Sequence, residues 1–214
     1  MQMQTITQMA LERADSSTFT RGQASLWVGS NGARLDALLK RAVRSGEVRR
    51  IKNGLFCLSD KYLRGPLDPL ELAQIIHGPS YVSLERALSY HGWIPEAVYT
   101  ITNATSGRSR VFDTPVGRFS YTRVPQEVLL AGVRRVVGAQ GSSFFLAIPL
   151  KALADLVYGR RLGWKSMEPL IESLRVEEEM LDGLTTEDFE EVLPIYRTTS
   201  IRRFLLGLRE ELGR

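Results

Sequence analysis

Seven cations crowd residues 34 to 52: Arg34, Lys40, Arg41, Arg44, Arg49, Arg50 and Lys52. The last three run directly into Asn53-Gly54, the dipeptide that most favours a tight hairpin turn because both residues tolerate positive φ. Guanidinium and ammonium groups at that density neutralise phosphates well, and phosphate contacts give a nucleic-acid binder its affinity and register. Arg21, Ser30 and Asn31 lie just upstream and join the candidate DNA-contacting set. The competing reading of the hairpin is a solvated ribbon whose arginines only keep an edge strand soluble.

Other chemistries are poorly supplied. His77 and His91 are the only histidines, they are not four apart, and Cys57 is the only cysteine, so standard Cys/His zinc spacings are missing. Each histidine is expected to end its helix, where the last carbonyls favour it, and Cys57 to be a small core residue. There is no Gly-x-Ser-x-Gly elbow, no P-loop and no Gly-x-Gly-x-x-Gly fingerprint. Gly141-Ser142 is followed by Ser-Phe-Phe-Leu-Ala-Ile-Pro and then by the isolated Asp155, not by the paired carboxylates that two-metal phosphoryl transfer requires. Glu177-Glu178-Glu179 reads as the solvated face of a helix. Lys151 and Asp155 read as an ordinary i, i+4 pair worth roughly a few tenths of a kcal/mol. The expectation is therefore no enzyme, no metal and no cofactor.

The cations need elements to hold them. Ile6, Met9, Ala10 and Arg13 have helical spacing within Thr5 to Ala14. Thr20 and Gln23 have capping-box spacing for a second helix running to Gly29, with Phe19 placed to staple against Ala24. Ser30-Asn31-Gly32 then turns the chain and is expected to cap a third helix, Ala33 to Ser45. In that helix Leu35, Leu38, Leu39, Ala42 and Val43 form one apolar stripe. Lys40 and Arg44 project opposite it beside the small Ala33 and Ala37, with Arg34 and Arg41 at the flanks. A two-stranded ribbon follows, Val48 to Ile51 and Leu55 to Leu58. Three helices, the last one basic, and then a basic ribbon are the order of a winged helix-turn-helix.

Tyr62 to Pro66 reads as a linker. Beyond it lie helices from Asp68 to Gly78 and from Tyr81 to Gly92, then strands at 99–103, 109–112, 118–124, 134–137 and 143–148. Helices are expected at 150–158, 166–181, 186–193 and 200–212. The expected fold class is α+β: an N-terminal winged helix-turn-helix over residues 1–65, then a mixed α+β domain over 66–214 closed by C-terminal helices. Charge follows that division. Residues 1–65 hold eleven Lys/Arg against five Asp/Glu, net +6, and residues 66–214 hold seventeen against nineteen, net −2. A lone cysteine, no leader-like opening and no long apolar run lead to an expected cytoplasmic, membrane-free protein.

The chain resembles the AbiEi-like family of antitoxins and transcriptional regulators found in phage-defence toxin-antitoxin loci. The resemblance covers nearly the whole chain. It rests on Leu38-Leu39-Lys40-Arg41 leading to Gly46-Glu47-Val48-Arg49-Arg50-Ile51-Lys52-Asn53-Gly54-Leu55-Phe56, on Tyr81 to Gly92, and on Pro149-Leu150-Lys151-Ala152-Leu153-Ala154-Asp155-Leu156. Phe56 stands where a tyrosine is usual, and Leu150 where a glutamate often precedes the lysine. The resemblance implies an N-terminal domain that binds an inverted-repeat operator in double-stranded DNA, as a dimer if the operator's symmetry is matched, and represses its own operon. It also implies a C-terminal domain that opposes a cognate nucleotidyltransferase-like toxin. Two alternatives stay open: an interaction module that dimerises through its winged helix, and a plain regulator with no toxin beside it.

Overall fold

In the computed structural model, which describes residues 5–63, 65–138 and 141–214, the first two helices begin where their side chains cap them. Thr5 caps α1 (Ile6–Arg13) and Thr20 caps α2 (Arg21–Val28), each hydroxyl accepting from the backbone N–H of a glutamine three residues on, whose side chain bonds back. The third helix, α3 (Ala33–Arg44), starts differently: within the expected Ser30-Asn31-Gly32 turn it is Gly32 that stands at the N-cap, so no side chain makes a capping hydrogen bond. Asp36 in the first turn of α3 instead meets Arg21 at 3.0 Å, and Arg21 also donates to the Asn31 carbonyl oxygen at 2.8 Å. Leu35, Leu39 and Ala42 are buried as their spacing dictates. Val43 is not, at 39% exposed.

Strands β1 (Thr18–Thr20), β2 (Val48–Lys52) and β3 (Leu55–Leu58) form an antiparallel sheet in the order β1-β3-β2. The three residues of β1 carry no periodicity and were not expected as a strand; pairing of Phe19 with Phe56 defines it. The two rings stack at 5.6 Å, and Phe19 meets Trp27 at 5.4 Å. Being central, β3 is buried at every position, which places Cys57 in the core. The ribbon does not close through a symmetrical primed turn. Only Gly54 has positive φ, 78°, and the register slips between Arg50 and Lys52, so the expectation for Asn53 is corrected to a bulged turn.

The chain divides into two compact units, one up to Asp68 with the short stretch Asp113–Val116, the other Pro69–Phe112 and Gly117–Arg214. Arg64, in the expected linker, and residues 139–140, between two expected strands, lie outside the described residues.

The second unit is built on a six-stranded mixed sheet, and with it the chain as a whole is α+β. Its strands are β4 (Ser80–Val82), β5 (Ile101–Thr105), β6 (Arg110–Thr114), β7 (Gly117–Arg123), β8 (Val133–Val137) and β9 (Ser143–Ala147), in the order β6-β7-β5-β4-β9-β8. Tyr81 and Val82, read from sequence as helix, form β4: Val82 pairs in parallel with Leu146 and antiparallel with Asn103. The central strand β5 is buried throughout, so its polar side chains need internal partners. Thr102 donates to the Ser83 carbonyl at 2.7 Å, and Thr105 to that of Pro79 at 2.7 Å. The edge strands β6 and β8 are mostly exposed and carry charged residues, which discourages edge pairing.

Helices α4 (Pro69–Ile76) and α5 (Leu84–Tyr90) lie against these strands. α6 (Pro149–Gly159) is buried from Leu150 to Val157 and is flanked by α5, α9 (Thr186–Val192) and α10 (Thr199–Glu211). The single helix expected at 166–181 is two, α7 (Glu168–Leu174) and α8 (Glu178–Asp182), because Arg175 takes a left-handed conformation at φ 54°. Among the described residues no helix is long and apolar enough to cross a membrane.

Candidate nucleic-acid interface

On α3 the side chains of Arg34, Lys40, Arg41 and Arg44 are all exposed, as the 100° spacing requires. In β2 neighbouring residues face opposite ways, and this separates Arg49 from Arg50. Arg50 turns toward α3. There Lys40, Arg44 and Arg50 rim a groove of about 340 Å³ floored by Leu39, Val43 and Phe56. None of the lining side chains is a carboxylate, so three cations converge on a surface with no internal counter-charge. That arrangement suits a polyanion approaching this face.

Arg49 faces the other way and grips Asp60 with both terminal nitrogens, at 2.6 and 3.2 Å. Arg21 is likewise engaged, with Asp36 and the Asn31 carbonyl. These two arginines brace the basic elements, α2 against α3 in one case and β2 against the turn after β3 in the other. Asn31 is exposed, while Ser30 and Lys52 are half-buried. Burial pushes the Cys57 thiol up from its ordinary pKa, partly opposed by Arg49, as befits a core residue and not a nucleophile.

A second constellation, in the other unit, was missed from sequence. Lys151 and Asp155, expected as an ordinary i, i+4 pair, are fully buried, and their hydrogen bonds run to other elements. Asp155 accepts three hydroxyl hydrogen bonds: from Tyr81 and Ser83 on Oδ2, each 2.7 Å, and from Tyr196 on Oδ1 at 2.6 Å. Ser83 thus spends its hydroxyl on Asp155 and caps no helix. Lys151 donates to Gln126 Oε1 at 2.5 Å, and its ammonium lies 5.1 Å from the ring centres of Tyr81 and Tyr196. Gln126 donates onward to the Tyr81 hydroxyl at 2.8 Å. Burial lowers the Lys151 pKa, while burial and the Asp155 charge push both tyrosines well above their ordinary value. With three hydroxyl donors on its two oxygens, Asp155 is a hub of the core. Beside it Leu84 is held at φ 55°, a conformation costing a branched residue about 1–3 kcal/mol that only firm surroundings sustain. One sequence signal pointed here: Lys151 and Asp155 are the only charged residues in an otherwise apolar α6, and a helix apolar all round is buried.

Both histidines bond backbone carbonyls. His77, just past α4, pairs its Nε2 with the Arg108 carbonyl at 3.1 Å and its ring with Tyr121 at 5.0 Å. His91, the C-cap of α5, bonds the Ala147 carbonyl at 2.8 Å, and burial lowers its pKa. Among the described residues no group of three or more His, Cys, Asp or Glu is placed to hold a metal ion. A search against protein-family models returns no match, and no curated protein matches the chain.

Proposed function

We propose that this chain is a DNA-binding transcriptional repressor whose first unit is a winged helix-turn-helix, with α3 as the recognition helix and the β2–β3 ribbon as the wing. One observation carries the reading: Lys40 and Arg44 of α3 and Arg50 of the ribbon converge on one carboxylate-free groove. The element order α1-β1-α2-α3-β2-β3 and the strand order β1-β3-β2 support it, because they set a helix and a ribbon side by side as that motif requires. In this reading Arg34, Lys40, Arg41 and Arg44 approach the major groove, and Arg50 and Lys52 track the backbone. Arg21 and Arg49 act through the elements they brace. A dimer would read two half-sites about 34 Å apart in an inverted repeat. The second unit is proposed, on its likeness in motif order to AbiEi-like proteins, to oppose a nucleotidyltransferase-like toxin encoded nearby.

The test is fluorescence anisotropy on the duplex upstream of the gene against a shuffled duplex, across a salt series. Native DNA should be preferred by roughly a thousandfold. Lys40→Ala with Arg44→Ala should erase the preference, and Arg50→Ala should lower the salt slope by about 0.9. Arg49→Ala should change the slope by much less. Equal binding to both duplexes would end the repressor reading, and an Arg49 effect as large as that of Arg50 would end this assignment of wing faces.

A further inference from the structure

A cavity of about 590 Å³ in the second unit opens between the ends of β7 and α6 and the first turn of α10. Its lining residues include two arginines, Arg123 and Arg161, the hydroxyl-bearing Ser109, Thr122 and Ser200, and Tyr158. No lining residue is acidic. Four other arginines of this unit are neutralised by carboxylates: Arg134 pairs with Glu191, Arg160 with Glu85, Arg175 with Glu96 and Arg197 with Glu127. Arg160 and Arg161 are chain neighbours, yet Arg160 closes on Glu85 at 2.6 Å while Arg161 faces the cavity. Among the described residues neither Arg123 nor Arg161 has an ion-pair partner.

Two further features build the site. Arg161 sits at φ 55°, a left-handed backbone that costs a non-glycine residue energy and recurs at ligand clamps. Ser109 Oγ accepts the Arg123 backbone N–H at 2.9 Å, which fixes the chain at the rim. At Gly159 the wall is bare backbone, and an added Cβ would stand a tight 3.0 Å from side-chain methyls of both Thr122 and Leu84.

We propose that this cavity binds a nucleotide through its phosphate chain. Arg123 and Arg161 take the phosphate oxygens, as forked guanidiniums do, with the hydroxyls completing the coordination. Val157, Tyr158 and Leu162 offer an apolar and aromatic wall for the nucleoside. The volume lies within the range of small-molecule sites. The inference is independent of DNA binding, since every lining residue belongs to the second unit.

Isothermal titration calorimetry on the full chain with ATP, inorganic tripolyphosphate and adenosine tests it. ATP should bind, adenosine should not, and Arg123→Gln with Arg161→Gln should weaken ATP by about 10-fold or more per arginine lost. Circular dichroism and the melting temperature check that the variant folds, and Lys40→Ala with Arg44→Ala controls for capture by the other basic surface. Tighter binding of ATP than of tripolyphosphate supports the nucleotide; equal binding overturns the nucleoside part of the proposal. No ATP binding, unchanged binding in the double glutamine variant, or loss only in the Lys40/Arg44 variant overturns the site.

Discussion

Removing the Asp155 carboxylate should cost the second unit more than any other single charge. Three hydroxyls, of Tyr81, Ser83 and Tyr196, donate to it at 2.6–2.7 Å inside the core. In Asp155→Ala each is left without an acceptor, at about 1–3 kcal/mol per unmet buried group, and Lys151 loses the negative charge that offsets its burial. The low end of that sum, about 3 kcal/mol, agrees with the 3–5 kcal/mol typical of breaking a buried ion pair from one side. Asp155→Asn keeps the volume but turns one acceptor into a donor facing hydroxyls that already donate, so about 2 kcal/mol is expected. Urea unfolding by tryptophan fluorescence measures this in a Trp27→Phe background, where Trp93 and Trp164, both in the second unit, remain as probes. A loss under about 1 kcal/mol for Asp155→Ala would refute the hub, because it would mean that the three hydroxyls repartner at no cost.

Other outcomes follow from the same geometry. The Arg134 guanidinium, with help from the Gly132 N–H, holds the Glu191 carboxyl down to about 2 from 4.5. A depressed carboxylate contributes stability that is present above pH 4.5 and is lost as pH falls toward 2, so the melting-temperature gap between wild type and Glu191→Gln should close across that window. A constant gap from pH 7 to pH 2 would contradict this. At Gly207 on α10 an added Cβ would stand 1.9 Å from the Lys165 carbonyl oxygen, a backbone atom that cannot step aside. Gly207→Ala should therefore cost about 3 kcal/mol or more, and an unchanged melting temperature would show that the approach of the two segments is looser.

What the sequence determined alone was local. The capping box at Thr20, the run of Leu35, Leu39 and Ala42 in α3, and the stripe of Ile201, Phe204, Leu205 and Leu208 in α10 are all set by neighbours within a few residues. The exposed cations of α3 were legible for the same reason. Tertiary structure decided what depends on distant pairing. β1 and β4 are three residues each, too short to show a period, and exist because Phe56 and Leu146 lie opposite them. Arg49 and Arg50 look alike in the chain, and only the fold sends one to Asp60 and the other to the groove. The Asp155 hub draws partners from 41 to 74 residues away, a convergence that no spacing rule encodes because each partner arrives on a different element.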